Sequence, residues 1–110
     1  MEYHSYNKND SYLREAMYLI NRKKCTYCGR LIQPNNMHID HILASKAKKS
    51  NDPEFNDYVD ELEKNGFILD SIENYNVSCP SCNTGKNNFN FDTNNIRFFH
   101  DKASKRVNKF

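Results

Sequence analysis

Four cysteines stand in two Cys-x-x-Cys pairs, Cys25/Cys28 and Cys79/Cys82, with 50 residues between the pairs. Paired thiolates at this spacing can close a tetrahedral zinc site, and four of them leave the ion no open position, so the chemistry they imply is structural. Among and beside the pairs stand Asp40, His41 and Asn83. A hard divalent cation takes oxygen ligands, which the Asp40 carboxylate and the Asn83 carbonyl oxygen can offer. An imidazole is suited to taking a proton from water near neutral pH. An ion held by two protein oxygens keeps positions for water and a phosphate oxygen, a set fit for metal-assisted phosphodiester hydrolysis. His38 lies two residues before Asp40 and shares its face if the segment is a strand. It is a third candidate for the catalytic metal, or an ordinary hydrogen-bonded strand histidine. His4 and His100 have no motif around them and are assigned no role.

These groups must be positioned by a small and polar chain. It has 110 residues, enough for one domain, and only 37% are hydrophobic, so a metal staple would substitute for a large apolar core. Seven Tyr and seven Phe supply aromatic bulk in the absence of Trp. The first residues lack the basic start and apolar run of a signal peptide, and no stretch is long enough to span a bilayer. A cytoplasmic setting is therefore expected, where thiols stay reduced and metal is favoured over disulfide. A net charge of +2 does not argue for a nucleic-acid partner by itself. Its distribution says more. Arg22-Lys23-Lys24 precede the first cysteine, Lys46, Lys48 and Lys49 follow His41, and Lys102, Lys105, Arg106 and Lys109 crowd the C-terminus. Such clusters fit a polyphosphate ligand or an ordinary solvated surface.

The elements follow from period and punctuation. Leu13, Ala16, Met17 and Ile20 recur at helical spacing behind Asp10 or Ser11 as cap, predicting a helix over 11–22. Residues 25–33 form a cysteine knuckle in which Gly29 supplies a positive φ. Pro34-Asn35-Asn36 signals a turn, and residues 37–42 a strand. Asp52-Pro53 opens a helix over 53–64 that Asn65-Gly66 stops. Residues 67–72 are an apolar connection, 75–78 a second strand, and 80–88 a short helix behind Pro80. A last helical segment over 93–108 carries Ile96, Phe99, Ala103 and Val107 on one side.

Asp40-His41-Ile42, Glu73-Asn74 and Cys79-x-x-Cys82-Asn83-x-x-Lys86 together resemble the HNH endonuclease family over residues 25–88. The resemblance implies an α+β fold: a small ββα-metal core stapled by a four-cysteine zinc site, here with flanking and inserted helices. It implies a catalytic set of Asp40 as metal ligand, His41 as general base, Asn74 as the residue fixing the loop behind the histidine, and Asn83 as second metal ligand. Lys86 matches a basic position that contacts phosphate, with Lys46 and Lys48 as further phosphate-binding candidates. The implied cofactors are structural Zn2+ and catalytic Mg2+ or Mn2+, and the implied partner is double-stranded DNA, cut to leave 5′-phosphate and 3′-hydroxyl ends. Two departures stand out: Ala44 takes the place of a common proline, and the stretch from His41 to Asn74 is lengthened by the 53–64 helix.

Two other classes compete. A non-catalytic zinc module binding nucleic acid or protein accounts for the cysteines and lysines but leaves Asp40, His41, Asn74 and Asn83 to chance. A cysteine-based redox protein leaves out the same four residues and one cysteine pair. No membrane partner is expected. A homodimer or fusion to further domains fits the small size.

Overall fold

The computed structural model describes residues 3–44, 52–86 and 93–108. Helix α1 spans Ser11–Ile20, with the Asp10 side chain accepting from the Leu13 amide at 3.0 Å, and it buries Leu13 and Met17 one turn apart. It ends two residues earlier than the apolar period predicts. Asn21 closes it, and Arg22 and Lys23 then take left-handed backbone angles, φ 58° and 60°. That conformation costs non-glycine residues about 1–2 kcal/mol each. It turns the chain so that the Ile32 amide reaches the Lys23 carbonyl at 2.8 Å and Lys24 bridges Leu31. The cysteine knuckle is enclosed between them. Gly29 has φ +74°, as the knuckle reading requires, and an added Cβ would meet open space, so only the backbone angle resists substitution there.

Strand β1, His38–His41, pairs antiparallel with strand β2, Tyr75–Ser78, in the register His38↔Ser78, Ile39↔Val77, Asp40↔Asn76 and His41↔Tyr75. A two-stranded ribbon is marginal alone in water. Here it is covered on several sides: the Thr26 amide donates to the Val77 carbonyl at 2.9 Å, and helix α3, Pro80–Lys86, packs back on β1. Between the strands, helix α2, Pro53–Lys64, begins at the Asp52 cap and stops at Asn65-Gly66, where Gly66 has φ +76°. A 3-10 turn over Ile72–Asn74 joins the apolar connection over 67–72 to β2. Helix α4, Thr93–Val107, packs against that turn, α2 and β2.

The apolar side chains fall into two clusters. One joins α1, the knuckle and the sheet through Met17, Cys25, Ile32, Ile39, Val77 and Cys79. The other joins α2, α4 and the loop after β1 through Ile42, Leu43, Tyr58, Leu62, Phe67 and Ile96. On α4 the expected stripe is modified: Ile96 and Ala103 are buried, Phe99 and Val107 only half-buried, and the polar His100 and Arg106 lie inside. The two-stranded sheet, the helices and the gathered cysteines agree with an α+β fold. Among the described residues, no helix is long and apolar enough to cross a membrane.

Candidate metal centre and the residues around Asp40 and His41

The sulfurs of Cys25, Cys28, Cys79 and Cys82 all lie within 4.8 Å of one another, although two come from the knuckle and two from the β2–α3 corner. Cys28 Sγ and Cys79 Sγ are 3.9 Å apart. Zinc–sulfur bonds of about 2.3 Å in a tetrahedron require sulfurs about 3.8 Å apart, whereas a disulfide needs about 2.05 Å. All four cysteines are unpaired, and the set is close enough to hold a metal ion such as zinc in a structural role. Local dipoles favour the thiolate at Cys79, whereas burial and the three neighbouring thiols push the Cys82 thiol up. Burial pushes the Cys79 thiol up, but the Cys82 amide, 3.4 Å from its sulfur, and the neighbouring thiols outweigh burial and bring it down to about 7.

Asp40 is buried in the middle of β1. Its carboxylate accepts from the Tyr27 hydroxyl at 3.3 Å, and the Asn76 amide nitrogen donates to that same hydroxyl at 3.2 Å. Asn76 is Asp40's cross-strand partner, so both side chains leave the same face of the sheet. Tyr27 is kept a neutral donor: burial raises its pKa first, and the adjacent Asp40 charge raises it further. His38 lies on the same face by alternation and is exposed. Asn83 is half-buried on α3, its amide bonded to the Cys79 carbonyl at 2.9 Å, on the helix that packs against β1.

His41 goes the other way. As Asp40's neighbour on a strand it projects to the opposite face. Its Nε2 lies 2.7 Å from Asp70 Oδ1, and its ring sits 5.5 Å from that of Tyr75. A carboxylate only accepts, so Nε2 is the donor in this contact. The Tyr75 hydroxyl also donates to Asp70 Oδ1, at 3.2 Å. These bonds, His41 first, hold the Asp70 carboxyl below its ordinary range.

Asn74 joins the strand ends. Its Oδ1 accepts from the Leu43 amide at 2.8 Å, and its Nδ2 donates to the Leu43 carbonyl at 3.0 Å and the Leu69 carbonyl at 2.9 Å. One fully buried amide thus grips both polar groups of a residue two positions after His41. Behind it, His100 Nε2 donates to Asn74 Oδ1 at 2.7 Å while Nδ1 accepts from the Tyr58 hydroxyl. Burial lowers the His100 pKa to about 4, so the ring is neutral.

The fold therefore gathers the four cysteines, sets Asp40 with Tyr27 and Asn76, sets His41 with Asp70, and ties Asn74 to the loop after β1. It does not bring Asp40 and His41 onto one face of the strand. Lys46 and Lys48 lie outside the described residues, and Lys86 is the last residue of α3 with its side chain likewise outside them. Sequence reasoning missed Tyr27, Asp70 and His100. Tyr27 sits within the Cys-x-x-Cys motif and could have been suspected. Asp70 and His100 have no local signal, because their partners are 29 and 26 residues away along the chain. No family model, no curated protein and no solved structure matches this chain.

Proposed function

We propose that this chain is a metal-dependent endonuclease that hydrolyses DNA phosphodiester bonds. The observation that carries the reading is the Asn74 clamp: an asparagine just before β2 grips the backbone after His41, the role implied by the resemblance to HNH nucleases. The β1–β2–α3 order, with Asp40-His41 at the end of β1 and Asn83 on the helix packed against it, supports the same reading.

On this reading Asp70 holds His41 through Nε2–H, and Nδ1 takes the proton from the water that attacks phosphorus. Asp70 is a positioning residue; it stabilises the imidazolium that forms without itself reacting. The Asp40 carboxylate and the Asn83 carbonyl oxygen would hold Mg2+ or Mn2+, hard cations that suit oxygen ligands. When bound, the ion supplies charge stabilisation to the transition state and the departing 3′-oxygen. Tyr27 and Asn76 fix the Asp40 side chain from behind. The strand puts Asp40 and His41 on opposite faces, so the phosphate must lie across the end of β1, with the metal-facing oxygen on one side and the attacking water on the other.

Supercoiled plasmid incubated with the zinc-loaded protein, with Mg2+ or Mn2+ added or left out, tests the reading. Nicking should require the added ion, and His41→Ala should slow it by about 10²–10⁴ with the fold intact by circular dichroism. Nicking at the wild-type rate in His41→Ala removes that histidine from the mechanism. Plasmid binding without any cleavage would make the chain a zinc-stapled binding module instead.

A further inference from the structure

Among the described residues, a concentration of positive charge lies away from Asp40 and His41. A cavity of about 500 Å³ opens between the knuckle, the turn after α1 and the last turns of α4. Arg22 and Lys24 line it from one segment and Lys102, Lys105 and Arg106 from another, and no carboxylate lines it among the described residues. Two segments some 80 residues apart in the chain thus deliver five cations to one concave surface. Lys105 has a counter-charge, Asp101, at 3.4 Å, but both side chains are largely exposed and the pair is weak.

Arg106 is the unusual member, because it is 7% exposed. Its Nη2 donates to the Tyr75 carbonyl and its Nη1 to Asn21 Oδ1 at 3.4 Å, both neutral acceptors, while the buried Nε has no hydrogen-bond partner. A buried guanidinium is normally compensated by a carboxylate. Four more positive groups line the same cavity, with Cys25 of the cysteine cluster the one acidic side chain among its lining residues. Burial lowers its pKa only to about 10, so the charge persists at neutral pH. The same electrostatic deficit would be relieved by an anion entering the cavity.

We propose that this cavity is an anchoring site for the backbone phosphates of a duplex nucleic acid, separate from the residues around Asp40 and His41. A groove with cations on two walls suits a chain of phosphates better than an isolated anion. The position fits as well. Thr26 lines the cavity, and the next residue, Tyr27, donates to Asp40. Arg106 holds the carbonyl of Tyr75, the cross-strand partner of His41. A phosphate in the cavity and one at the end of β1 would therefore be registered through the same short segments. The proposal deepens the nuclease reading by assigning the grip on flanking phosphates, and that assignment rests on it.

The test is duplex binding by fluorescence anisotropy, using the zinc-loaded full chain and a labelled 20-base-pair duplex without added Mg2+ or Mn2+, across a salt series. Two charge-matched variants are compared: K24Q/K102Q inside the cavity and K23Q/K64Q outside it. Each lost phosphate contact lowers the slope of log K against log salt by about 0.9, so the cavity variant should lose about 1.8 of slope and bind at least about tenfold more weakly at low salt. The outside variant should change the slope by less than half as much. Equal effects of the two variants, or wild-type binding by K24Q/K102Q, would overturn the proposal. Plasmid nicking by the same two variants, with Mg2+ or Mn2+ added, separates this from the catalytic reading. If the wild type cuts nothing while K24Q/K102Q alone loses affinity, the nuclease reading fails and the anchoring site stands.

Discussion

The cluster around α1, the knuckle and the sheet holds the bulky Met17 and Tyr75, both fully buried, and two of its other buried members, Cys25 and Cys79, belong to the set that can hold a metal ion. The cluster around α2 and α4 contains no cysteine. It is closed by aromatic contacts and by a neutral polar chain, Tyr58 to His100 to Asn74 to Leu43. The first half gathers four sulfurs from distant parts of the chain closely enough to hold a metal ion; the second is held by helix burial and satisfied hydrogen bonds. Ile39 belongs to the first cluster and Ile42 to the second, so Asp40 and His41 occupy the crossing between them. Each is steadied by a side chain from elsewhere in the chain, Asp40 by Tyr27 of the knuckle and His41 by Asp70 of the connection before β2. The difference teaches that a small domain can use a rigid half to place residues and a hydrogen-bonded half to hold their loop.

The largest test of this division is removal of a sulfur. Structural zinc supplies about 10–16 kcal/mol in small modules, comparable to or above the whole stability of a domain. Cys79→Ser should therefore unfold the chain and release the metal, followed by far-UV circular dichroism and by zinc analysis, which should find about one zinc per wild-type chain. Loss should be cooperative across both halves, because the Tyr27 and Phe99 rings meet at 5.1 Å and Arg106 holds Tyr75 across the boundary. Retained helicity at half the wild-type signal would show instead that the halves fold separately.

A smaller effect is expected from Asn74→Ala, which leaves the Leu43 amide, two carbonyls and His100 Nε2 without their partner in a buried place. Stranded polar groups of this kind cost about 1–3 kcal/mol each, and partial relaxation brings the total to about 3–5 kcal/mol. Urea unfolding reads it, and an unchanged midpoint would remove the clamp from the account of the loop. The fold should survive, unlike that of Cys79→Ser.

The last comparison uses acid. The folded-state pKa of His100, about 4, lies below the ordinary 6.5, so its contribution is intact above about pH 6.5 and is lost as pH falls toward 4. The full loss is about 3 kcal/mol. The thiolates also take up protons in acid, so the measurement is the difference between wild type and His100→Gln, which lacks the titrating ring. Their stabilities should converge as pH drops from 7 to 4, and parallel curves would show that the ring does not titrate differently in the folded state.

Several parts of this arrangement were legible in the chain because they depend on neighbours. Asp10 and Asp52 cap helices within three residues of themselves, and Gly29 and Gly66 take backbone angles that other residues resist. The early end of α1 was not legible, since Arg22 and Lys23 carry no intrinsic preference for the left-handed region they adopt. His100 was passed over for a related reason. Its place on α4 looks like any polar position until the helix packs on the Ile72–Asn74 turn, and only then does the ring find two partners at once.

The residue types and short spacings by themselves determined the cysteine pairs, the helix caps, the strand alternation and the presence of Asp40-His41 beside them, because metal affinity, capping and pleat act over a few residues. Tertiary structure alone decided that the two cysteine pairs meet, that His41 is paired with Asp70 on the face opposite Asp40, that Asn74 is braced by His100, and that five cations line one cavity. The reason is that hydrogen bonds, ligation and charge crowding act through distances of a few ångströms, and only packing brings residues from separate segments within that range.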